Sequence, residues 1–451
     1  MERTAVSDLR QWLDSDERKP LVLRGARQVG KTWSVRRLAE LSGRQLVELN
    51  IEKSPELVTL FETNDPRQII LNIEAARNCS ITAEKSLLFI DEIQAAPELL
   101  AKLRWFAEDY PELPVVTAGS LLEFTLAEHS FSMPVGRIQY LHIEPLSFEE
   151  FLQALGQTKL HEWLQAFQWG QSVPEAIHQR FMYYFKEYII VGGLPAVVAN
   201  WIKHRSLSKI NRVHHDLLAT YRDDFAKYAG RVSLKLLEDV LNAVPKMLGE
   251  KFVCSRVSKE GASNAIKNAL QLLAKARLAY VTYACAGNGL PMAAERNDKH
   301  FKVVFLDVGL GSAMLGLNLN QVQSVDDIYL INRGAIAEQV VGQLLRTIEP
   351  SYISPSLFYW VRERKGSEAE VDYLVQHQSN IVPIEVKAGS TGSLKSLHLF
   401  MAEKPWKHAV RVNGDFPSQT MIDIKTPNGD PVQYQLHSLP FYLLGQLHRL
   451  L

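Results

Sequence analysis

Residues 25–32 read Gly25-Ala26-Arg27-Gln28-Val29-Gly30-Lys31-Thr32, which fits the pattern G-x-x-x-x-G-K-[ST]. The apolar run Leu21-Val22-Leu23 precedes this pattern, and a segment with helical spacing follows it. The two glycines let backbone N–H groups turn inward around phosphates, Lys31 can reach the β- and γ-phosphates, and the hydroxyl of Thr32 can hold Mg²⁺. The context favours a phosphate-binding loop over a bare strand–turn–helix corner. The predicted nucleotide-binding residues are Gly25, Ala26, Arg27, Gln28, Val29, Gly30, Lys31, Thr32 and Trp33.

A second apolar strand, Leu87-Leu88-Phe89-Ile90, ends in two carboxylates, Asp91 and Glu92. In P-loop NTPases an aspartate at this place supports the Mg²⁺, and the following glutamate orients or deprotonates the attacking water. The two motifs together predict binding and hydrolysis of ATP with Mg²⁺, with Lys31 and Glu92 as catalytic residues and Thr32 and Asp91 as metal-supporting ones.

Two more polar residues follow apolar runs in this part of the chain. Ser120, after Val115–Ala118, is placed to sense the γ-phosphate or to position water, and an N-cap before Leu121 is the alternative. Arg137, before Ile138–Ile143, is either an arginine finger acting in cis or across a subunit interface, or one half of a surface ion pair.

Composition limits the class of protein. The chain has 451 residues with 50 basic and 50 acidic side chains, and 46% of its residues are hydrophobic, which excludes a disordered or fibrous chain and suggests two to four domains. Three scattered cysteines, Cys79, Cys254 and Cys285, form no disulfide or zinc pattern. The longest apolar run, from Tyr188 to Ile202, falls short of the roughly 20 residues that span a bilayer. We expect a cytoplasmic protein that does not enter the membrane.

The pattern along the chain predicts three regions: 1–150, 151–310 and 311–451. Alternating short apolar runs and amphipathic stretches in the first region indicate an α/β fold with a parallel sheet. The middle region is mainly helical, and the last hundred residues return to β-rich alternation. The predicted strands are 20–24, 45–50, 86–90, 115–118, 138–143, 357–362, 371–375, 382–386 and 409–412, and the longer predicted helices are 32–41, 98–110, 149–155, 174–188 and 335–345.

The segment 251–302 has the order helix, helix and hairpin, which is typical of a winged helix. Its second helix, Ser263–Ala276, precedes strands at 279–284 and 300–305, and such modules place that helix in the major groove of DNA. This segment contains nine Lys and Arg residues and three acidic residues, an excess of six positive charges. Such an excess suits contacts with phosphates. The alternative is a winged helix that serves packing alone.

The C-terminal region carries polar residues within apolar strands. Glu385 and Lys387 share one face of a strand because side chains alternate with a period of two. With Asp372 they match D-x(n)-[DE]-x-K, the order found in restriction-endonuclease-like sites. We take Asp372 and Glu385 as candidate metal ligands, and Glu338 and Lys387 as further members. A structural ion-pair network is the alternative.

The chain resembles a family of prokaryotic AAA-type ATPases that carry a C-terminal domain of unknown function. The resemblance covers nearly the whole chain. It implies an ATP-hydrolysing module, a winged-helix segment and a C-terminal nuclease-like fold. The motifs that carry it lie at residues 24–32, 89–94, 117–120, 136–137, 145–151, 192–195, 305–310 and 383–387.

Three functional hypotheses follow from the sequence. The first is an Mg²⁺-dependent ATPase whose nucleotide state acts on DNA-bound winged-helix and nuclease-like parts, in a possible homo-oligomer. The second is a nucleotide-switched interaction protein with slow turnover and an inert C-terminal docking domain. The third is an ATP-gated, metal-dependent nuclease. His214-His215 lacks a matching set of metal ligands, and Trp33, Trp105 and Trp201 are expected in the core.

Overall fold

A computed structural model describes residues 1–119, 134–228, 232–259, 261–324, 333–363, 368–388, 393–426, 429 and 431–451. These residues form two compact units. The N-terminal unit comprises residues 1–144, 275–277 and 350–354, and the C-terminal unit comprises residues 145–274, 278–349 and 355–451.

The N-terminal unit contains a five-stranded parallel sheet in the order β2-β3-β4-β1-β5. Its strands are β1 (Leu21–Arg24), β2 (Gln45–Asn50), β3 (Ser86–Asp91), β4 (Val115–Ala118) and β5 (Gln139–His142), and its helices are α1 (Thr4–Leu13), α2 (Lys31–Ser42), α3 (Pro66–Arg77) and α4 (Leu99–Asp109). All five predicted strands of this region are confirmed, with ends that differ by a residue or two.

The buried strand β3 shows why this sheet needs helices on both faces. Leu87 and Phe89 pack in one core cluster with residues of α1 and α2. Leu88 and Ile90 pack in another with residues of α3 and α4. Because both faces are covered, the strand reads as one continuous apolar run, and its carboxyl end delivers Asp91 to the edge of the sheet where the phosphate-binding loop lies.

The C-terminal unit combines helices with an eight-stranded sheet in the order β12-β13-β11-β10-β9-β8-β6-β7. Its strands are β6 (Ala279–Cys285), β7 (Arg296–Phe305), β8 (Leu357–Arg362), β9 (Ala369–His377), β10 (Asn380–Val386), β11 (His408–Asn413), β12 (Ser418–Lys425) and β13 (Pro431–Pro440). Its helices are α5 (Phe148–Ala154), α6 (Thr158–Ala166), α7 (Glu175–Val191), α8 (Pro195–His204), α9 (Leu207–Asp223), α10 (Leu234–Ala243), α11 (Cys254–Val257), α12 (Ser263–Lys275), α13 (Val308–Met314), α14 (Arg333–Leu345), α15 (Lys395–Glu403) and α16 (Leu447–Leu450).

The central strands of this sheet form an antiparallel meander, β8-β9-β10, and β11 joins β10 in parallel after the crossover helix α15. The strands and helices predicted here are present. Strands β12 and β13 and helix α15 were not predicted from the sequence. The expectation that Trp33 lies in the core is wrong, because Trp33 is 39% exposed. Among the described residues, no helix is both long and apolar enough to cross a membrane.

A buried carboxylate joins two short sequence motifs of the C-terminal unit. Asp307 is fully buried and accepts hydrogen bonds from the backbone N–H of Gly193 at 2.6 Å and of Leu310 at 3.0 Å. Gln343 of α14 donates to the same carboxylate at 3.1 Å. Gly192 has φ +79°, and a Cβ there would collide with the side chain of Asp307. Gly192 is therefore required because a carboxylate packs directly against its backbone, and Gly193 because a Cβ there would collide with the carbonyl oxygen of Leu146.

We expect Gly192→Ala to lower the free energy of unfolding by about 2–4 kcal/mol, since it combines a disfavoured backbone conformation with a collision against a buried carboxylate. Chemical denaturation of the full chain measures the loss. Gly170→Ala is the matched control, because Gly170 has φ +88° but open space around its Cβ position, and it should cost only about 1 kcal/mol. Equal losses in the two variants would show that the contact with Asp307 is not the cause.

Candidate functional site

The loop between β1 and α2 has a backbone that favours glycine. Gly25 has φ +150°, and a Cβ there would collide with the carbonyl oxygen of Ile143. Gly30, the residue before α2, has φ +98°, and Gln28 also lies in the left-handed region at +63°. These turns wrap the loop around the N-terminus of α2, where unpaired backbone N–H groups favour an anion.

Lys31 lies within this loop, where its side chain is buried. Its ammonium donates hydrogen bonds to the carbonyl oxygens of Gly25 at 3.0 Å and Ala26 at 2.8 Å. Burial lowers the pKa of Lys31 to about 8, and the carboxylates of Glu92 and Asp91 oppose that shift only in part. The loop therefore holds a cation that two neutral carbonyls solvate, and this arrangement suits a phosphate that would bring the missing negative charge.

Thr32 and Asp91 meet across the edge of the sheet. The Thr32 hydroxyl donates to Asp91 Oδ2 at 3.1 Å, and Asn50 at the end of β2 lies 3.5 Å from the same oxygen. Burial and the charge of Glu92 raise the pKa of Asp91 to about 6. A hydroxyl and a carboxylate are ligands that Mg²⁺ prefers, so these two residues fit the ion that accompanies ATP.

Glu92 lies directly after Asp91, in the left-handed region at φ +53°. Gln94 donates from Nε2 to Glu92 Oε2 at 2.5 Å. The Oε1 atom of Gln94 occupies the space in which a Cβ at Gly119 would lie, so the absence of a side chain at Gly119 makes room for this amide. Gln94 thus holds the carboxylate of Glu92 in a fixed place.

Arg3 is a member of this site that sequence reasoning missed. It is buried, and its guanidinium donates to the carbonyl oxygens of Val29 at 2.9 Å and Glu144 at 2.6 Å. These hydrogen bonds tie the backbone of the phosphate-binding loop at Val29 to the segment that follows β5. A lone arginine near the N-terminus carries no motif, so only the three-dimensional contact reveals it.

The two remaining catalytic candidates of this unit have different outcomes. Ser120 lies outside the described residues. Arg137 is half-exposed, and its guanidinium donates to Glu108 Oε1 at 2.7 Å, an oxygen that Arg104 also contacts at 3.1 Å. The structure thus contains the ion pair that was the alternative reading of Arg137, and its role as an arginine finger stays a prediction.

The C-terminal unit brings Glu338, Asp372, Glu385 and Lys387 together. Asp372 and Glu385 lie side by side on β9 and β10, and the backbone N–H of Val386 donates to Asp372 Oδ2 at 2.7 Å. Lys387 donates to Glu385 Oε1 at 2.7 Å. Glu370 belongs to the same face as Asp372, because it lies two residues earlier on β9. We call the carboxylates of Glu338, Glu370, Asp372 and Glu385 the acidic cluster.

Lys302 of β7 enters the acidic cluster, which the sequence did not predict. Its side chain is almost fully buried, and its ammonium lies 3.0 Å from Glu338 and 3.8 Å from Asp372, with Glu370 in direct contact. Burial by itself would lower the pKa of Lys302, but attraction to Glu338, Glu370 and Asp372 outweighs it and raises the pKa. Lys302 is therefore charged in the folded protein.

Even with two lysines, the acidic cluster has more acid than base. Burial, followed by the charge of Asp372, raises the pKa of Glu338 to about 8 and that of Glu385 to about 7. Glu385 Oε2 is buried without a hydrogen-bond partner among the described residues. Among all the residues that the structure describes, no group of three or more His, Cys, Asp or Glu side chains is arranged to hold a metal ion.

The predicted basic face of residues 251–302 is weaker than its sequence suggests. Lys302 is buried among acids, Lys251 pairs with Glu363 at 3.2 Å, and Arg256 pairs with Glu250. These acids lie outside the counted window, so the excess of six overstates the charge available at the surface. Lys259, Lys267 and Lys299 make no ion pair with another residue that the structure describes.

A cavity of about 290 Å³ lies between α12 and the β6–β7 hairpin. Arg296 at its rim covers the ring of Tyr283 at 4.1 Å and pairs with Asp298 at 2.7 Å. The cavity places a lysine of the helix and an arginine of the hairpin on one surface. Its lining residues are Lys267, Leu270, Gln271, Val281, Tyr283, Arg296, Asp298 and Phe301.

Comparison with protein families assigns part of the chain. Residues 17–152 match a family described as an AAA domain. Residues 182–321 and 333–423 match two families that are both described as domains of unknown function. Together with the loop geometry, the first match supports a phosphate-loop ATPase domain of the AAA type in the N-terminal unit. A search of curated proteins gives no match.

Several solved structures resemble the chain at low sequence identity. A Walker-type ATPase of Pyrococcus abyssi is 15% identical, with a TM-score of 0.44 over 70% of this chain and 95% of that one. The ORC2 protein of Aeropyrum pernix, solved in ADPNP–ADP complexes, is 13% identical, with a TM-score of 0.37 over 69% of this chain and 92% of that one. PCH-2 of C. elegans is 14% identical, with a TM-score of 0.26 over 43% and 57%.

The raised pKa of Asp91 predicts opposite effects of Asp91→Asn on stability and on hydrolysis. At neutral pH the carboxyl is ionised, and burial makes that ionised form less favourable in the folded protein than in the unfolded one, so the amide should raise the free energy of unfolding of the nucleotide-free protein. Since water reaches part of this site and screens the charge, we expect a gain on the order of 1 kcal/mol. Hydrolysis of ATP should be lost.

The pH dependence of that gain provides the check. The folded pKa of Asp91 is about 6 and its ordinary value is 3.8, so the stability penalty is fully present above about pH 6. It should fade as the pH falls from about 6 to about 4 and be absent below about pH 3, where the wild-type carboxyl is protonated in both states. Denaturation midpoints of both proteins at several pH values measure the difference. A gain that is independent of pH would assign it to another cause.

Proposed function

We propose that the chain binds and hydrolyses ATP with Mg²⁺ at the carboxyl edge of the N-terminal sheet. The observation that carries this proposal is the meeting of three groups at one place: the buried ammonium of Lys31, the hydroxyl of Thr32 and the paired carboxylates Asp91 and Glu92. The match of residues 17–152 to an AAA domain supports the same assignment.

Each residue has a role that its environment favours. Lys31 would exchange its two carbonyl partners for phosphate oxygens, which supply negative charge in place of neutral dipoles. Thr32 and Asp91 would hold Mg²⁺, which neutralises phosphate charge when it is bound. The carboxylate of Glu92, fixed by Gln94, would accept a proton from the attacking water.

Glu92→Gln tests the assignment of the base. We expect the rate of ATP hydrolysis to fall about 100-fold or more, because the amide cannot accept the proton, while ATP binding persists. Phosphate release and titration with a fluorescent ATP analogue measure the two properties. Glu84→Gln, which changes an exposed glutamate in the turn before β3, should leave both unchanged.

Two outcomes would contradict the proposal in different ways. Unchanged turnover in Glu92→Gln would show that Glu92 is not the base. A wild-type protein that binds ATP but shows no measurable hydrolysis would instead favour the nucleotide-switched interaction protein.

We further propose that the C-terminal unit contacts DNA through α12 and the β6–β7 hairpin, used as a winged helix. Lys267 of α12 and Arg296 of the hairpin line the same cavity. The exposed lysines Lys259 and Lys299 add positive charge that no described acid neutralises. Side chains placed in this way suit the phosphates of one duplex.

Lys267→Glu should weaken binding of the full chain to duplex DNA and make the binding less sensitive to salt. One lost phosphate contact lowers the slope of log affinity against log salt by about 1. Fluorescence anisotropy at several salt concentrations gives both quantities. Lys203→Glu, on the exposed side of α8, is the control with the same change in charge. No difference between the two variants would favour the packing role of this segment.

A further inference from the structure

The acidic cluster contains a cation that belongs to the chain itself. Lys302 lies on β7, the edge strand of the eight-stranded sheet. Two strands, β6 and β8, lie between β7 and β9. Its ammonium nevertheless contacts Glu370 and reaches Asp372, both on β9. The sheet must therefore curl at this end, and that curvature carries Lys302 over the carboxylates.

The surroundings of the ammonium match its chemistry. A lysine ammonium has three N–H donors and no acceptor, and three carboxylates surround it, those of Glu338, Glu370 and Asp372. The ring of Tyr359 lies 5.3 Å from the same nitrogen, which adds a favourable contact with an aromatic face. Only 3% of Lys302 is exposed, so water contributes little to its solvation.

Two neighbours, Tyr373 and Gly249, surround Glu338. The hydroxyl of Tyr373 donates to the backbone carbonyl of Glu338 at 2.8 Å. A Cβ at Gly249 would lie 3.1 Å from the Glu338 carboxylate, so Gly249 leaves it room. The carboxylate lies against Gly249 and points at Lys302, with which it pairs at 3.0 Å.

Lys302 and a divalent cation would compete for the same oxygens. Mg²⁺ and Mn²⁺ bind to carboxylates like those of Glu338 and Asp372. A metal ion there would lie within a few ångströms of a buried ammonium, and two positive charges at that distance in a poorly solvated site repel strongly. Each cation therefore weakens the binding of the other.

We propose that the ammonium of Lys302 is the resident cation of the acidic cluster and closes it to divalent metal ions. The C-terminal unit then serves as a non-catalytic module, although it carries the Asp372, Glu385 and Lys387 pattern of a metal-dependent nuclease. Lys302 fastens β7 to α14 and β9 by ion pairs. This inference does not depend on ATP hydrolysis, because it concerns the other unit of the chain.

The test measures Mn²⁺ binding to the full chain by electron paramagnetic resonance, without nucleotide. All proteins carry Asp91→Asn, so that the nucleotide site lacks the carboxylate proposed to hold its metal ion. With Lys302 present, we expect no Mn²⁺ binding that depends on Asp372. Lys302→Met, which keeps the length of the side chain but removes its charge, should bind one Mn²⁺ at least about tenfold more tightly. Asp372→Asn in addition should abolish that gain.

Lys299→Met is the matched control, because Lys299 lies on the same strand but is exposed and unpaired with any described acid. It should not gain Mn²⁺ binding. Lys302→Met with Glu370→Gln removes one positive and one negative charge together. This balanced variant allows the test to proceed if loss of the lysine alone prevents folding, and it should also bind Mn²⁺ more tightly than the protein that retains Lys302.

Three results would overturn the proposal. The first is Mn²⁺ binding to the protein with Lys302 that disappears in Asp372→Asn. The second is a folded Lys302→Met or balanced variant that gains no Mn²⁺ binding, because the lysine would then not be what excludes the metal. The third is Mg²⁺- or Mn²⁺-dependent cleavage of DNA or RNA by the wild-type chain that Asp372→Ala abolishes.

Discussion

A charged side chain can be withdrawn from water only if the fold supplies compensating charges or dipoles, and this constraint governs both units of the protein. In the N-terminal unit, Lys31 is buried against two carbonyl oxygens, and that incomplete compensation is what a phosphate can complete. In the C-terminal unit, Asp307 is satisfied by backbone N–H groups and an amide, while Lys302 is satisfied by carboxylates. The site of Lys31 thus differs from those of Asp307 and Lys302 in how completely the buried charge is compensated. The charges of Asp307 and Lys302 hold elements together, and the incompletely satisfied ammonium of Lys31 marks the site where a phosphate is expected.

Much of the N-terminal unit could be predicted from the sequence because its signals are contiguous. The loop at residues 25–32 contains its own glycines, lysine and threonine, and β3 carries Asp91 and Glu92 at its end. Both faces of its sheet are covered, so each strand appears as an apolar run of recognisable length. The roles of Gln94 and Arg3 could not be predicted, since each depends on which backbone atom or carboxylate the fold brings within reach.

The C-terminal unit was harder to predict for physical reasons. Glu338, Asp372, Glu385 and Lys387 were proposed as one group, and the fold does bring them together. Lys302 was counted instead as a surface charge, because its acidic partners lie 36 to 70 positions further along the chain and no local pattern links them. The edge strand β12 escaped prediction since nearly all of its residues are exposed, so it lacks the alternation that identifies a half-buried strand.

The contact between Gly193 and Asp307 also bears on how the sequence can change in evolution. The two residues are 114 positions apart, yet the backbone of one is a hydrogen-bond partner of the other, and the neighbouring Gly192 has no room for a side chain while Asp307 is present. A side chain at position 192 would displace the carboxylate of Asp307, and loss of Asp307 would remove the crowding that requires glycine at position 192. The short motifs around residues 192–195 and 305–310 should therefore be inherited together or lost together. Selection would act on them as a single unit, although they are far apart in the sequence.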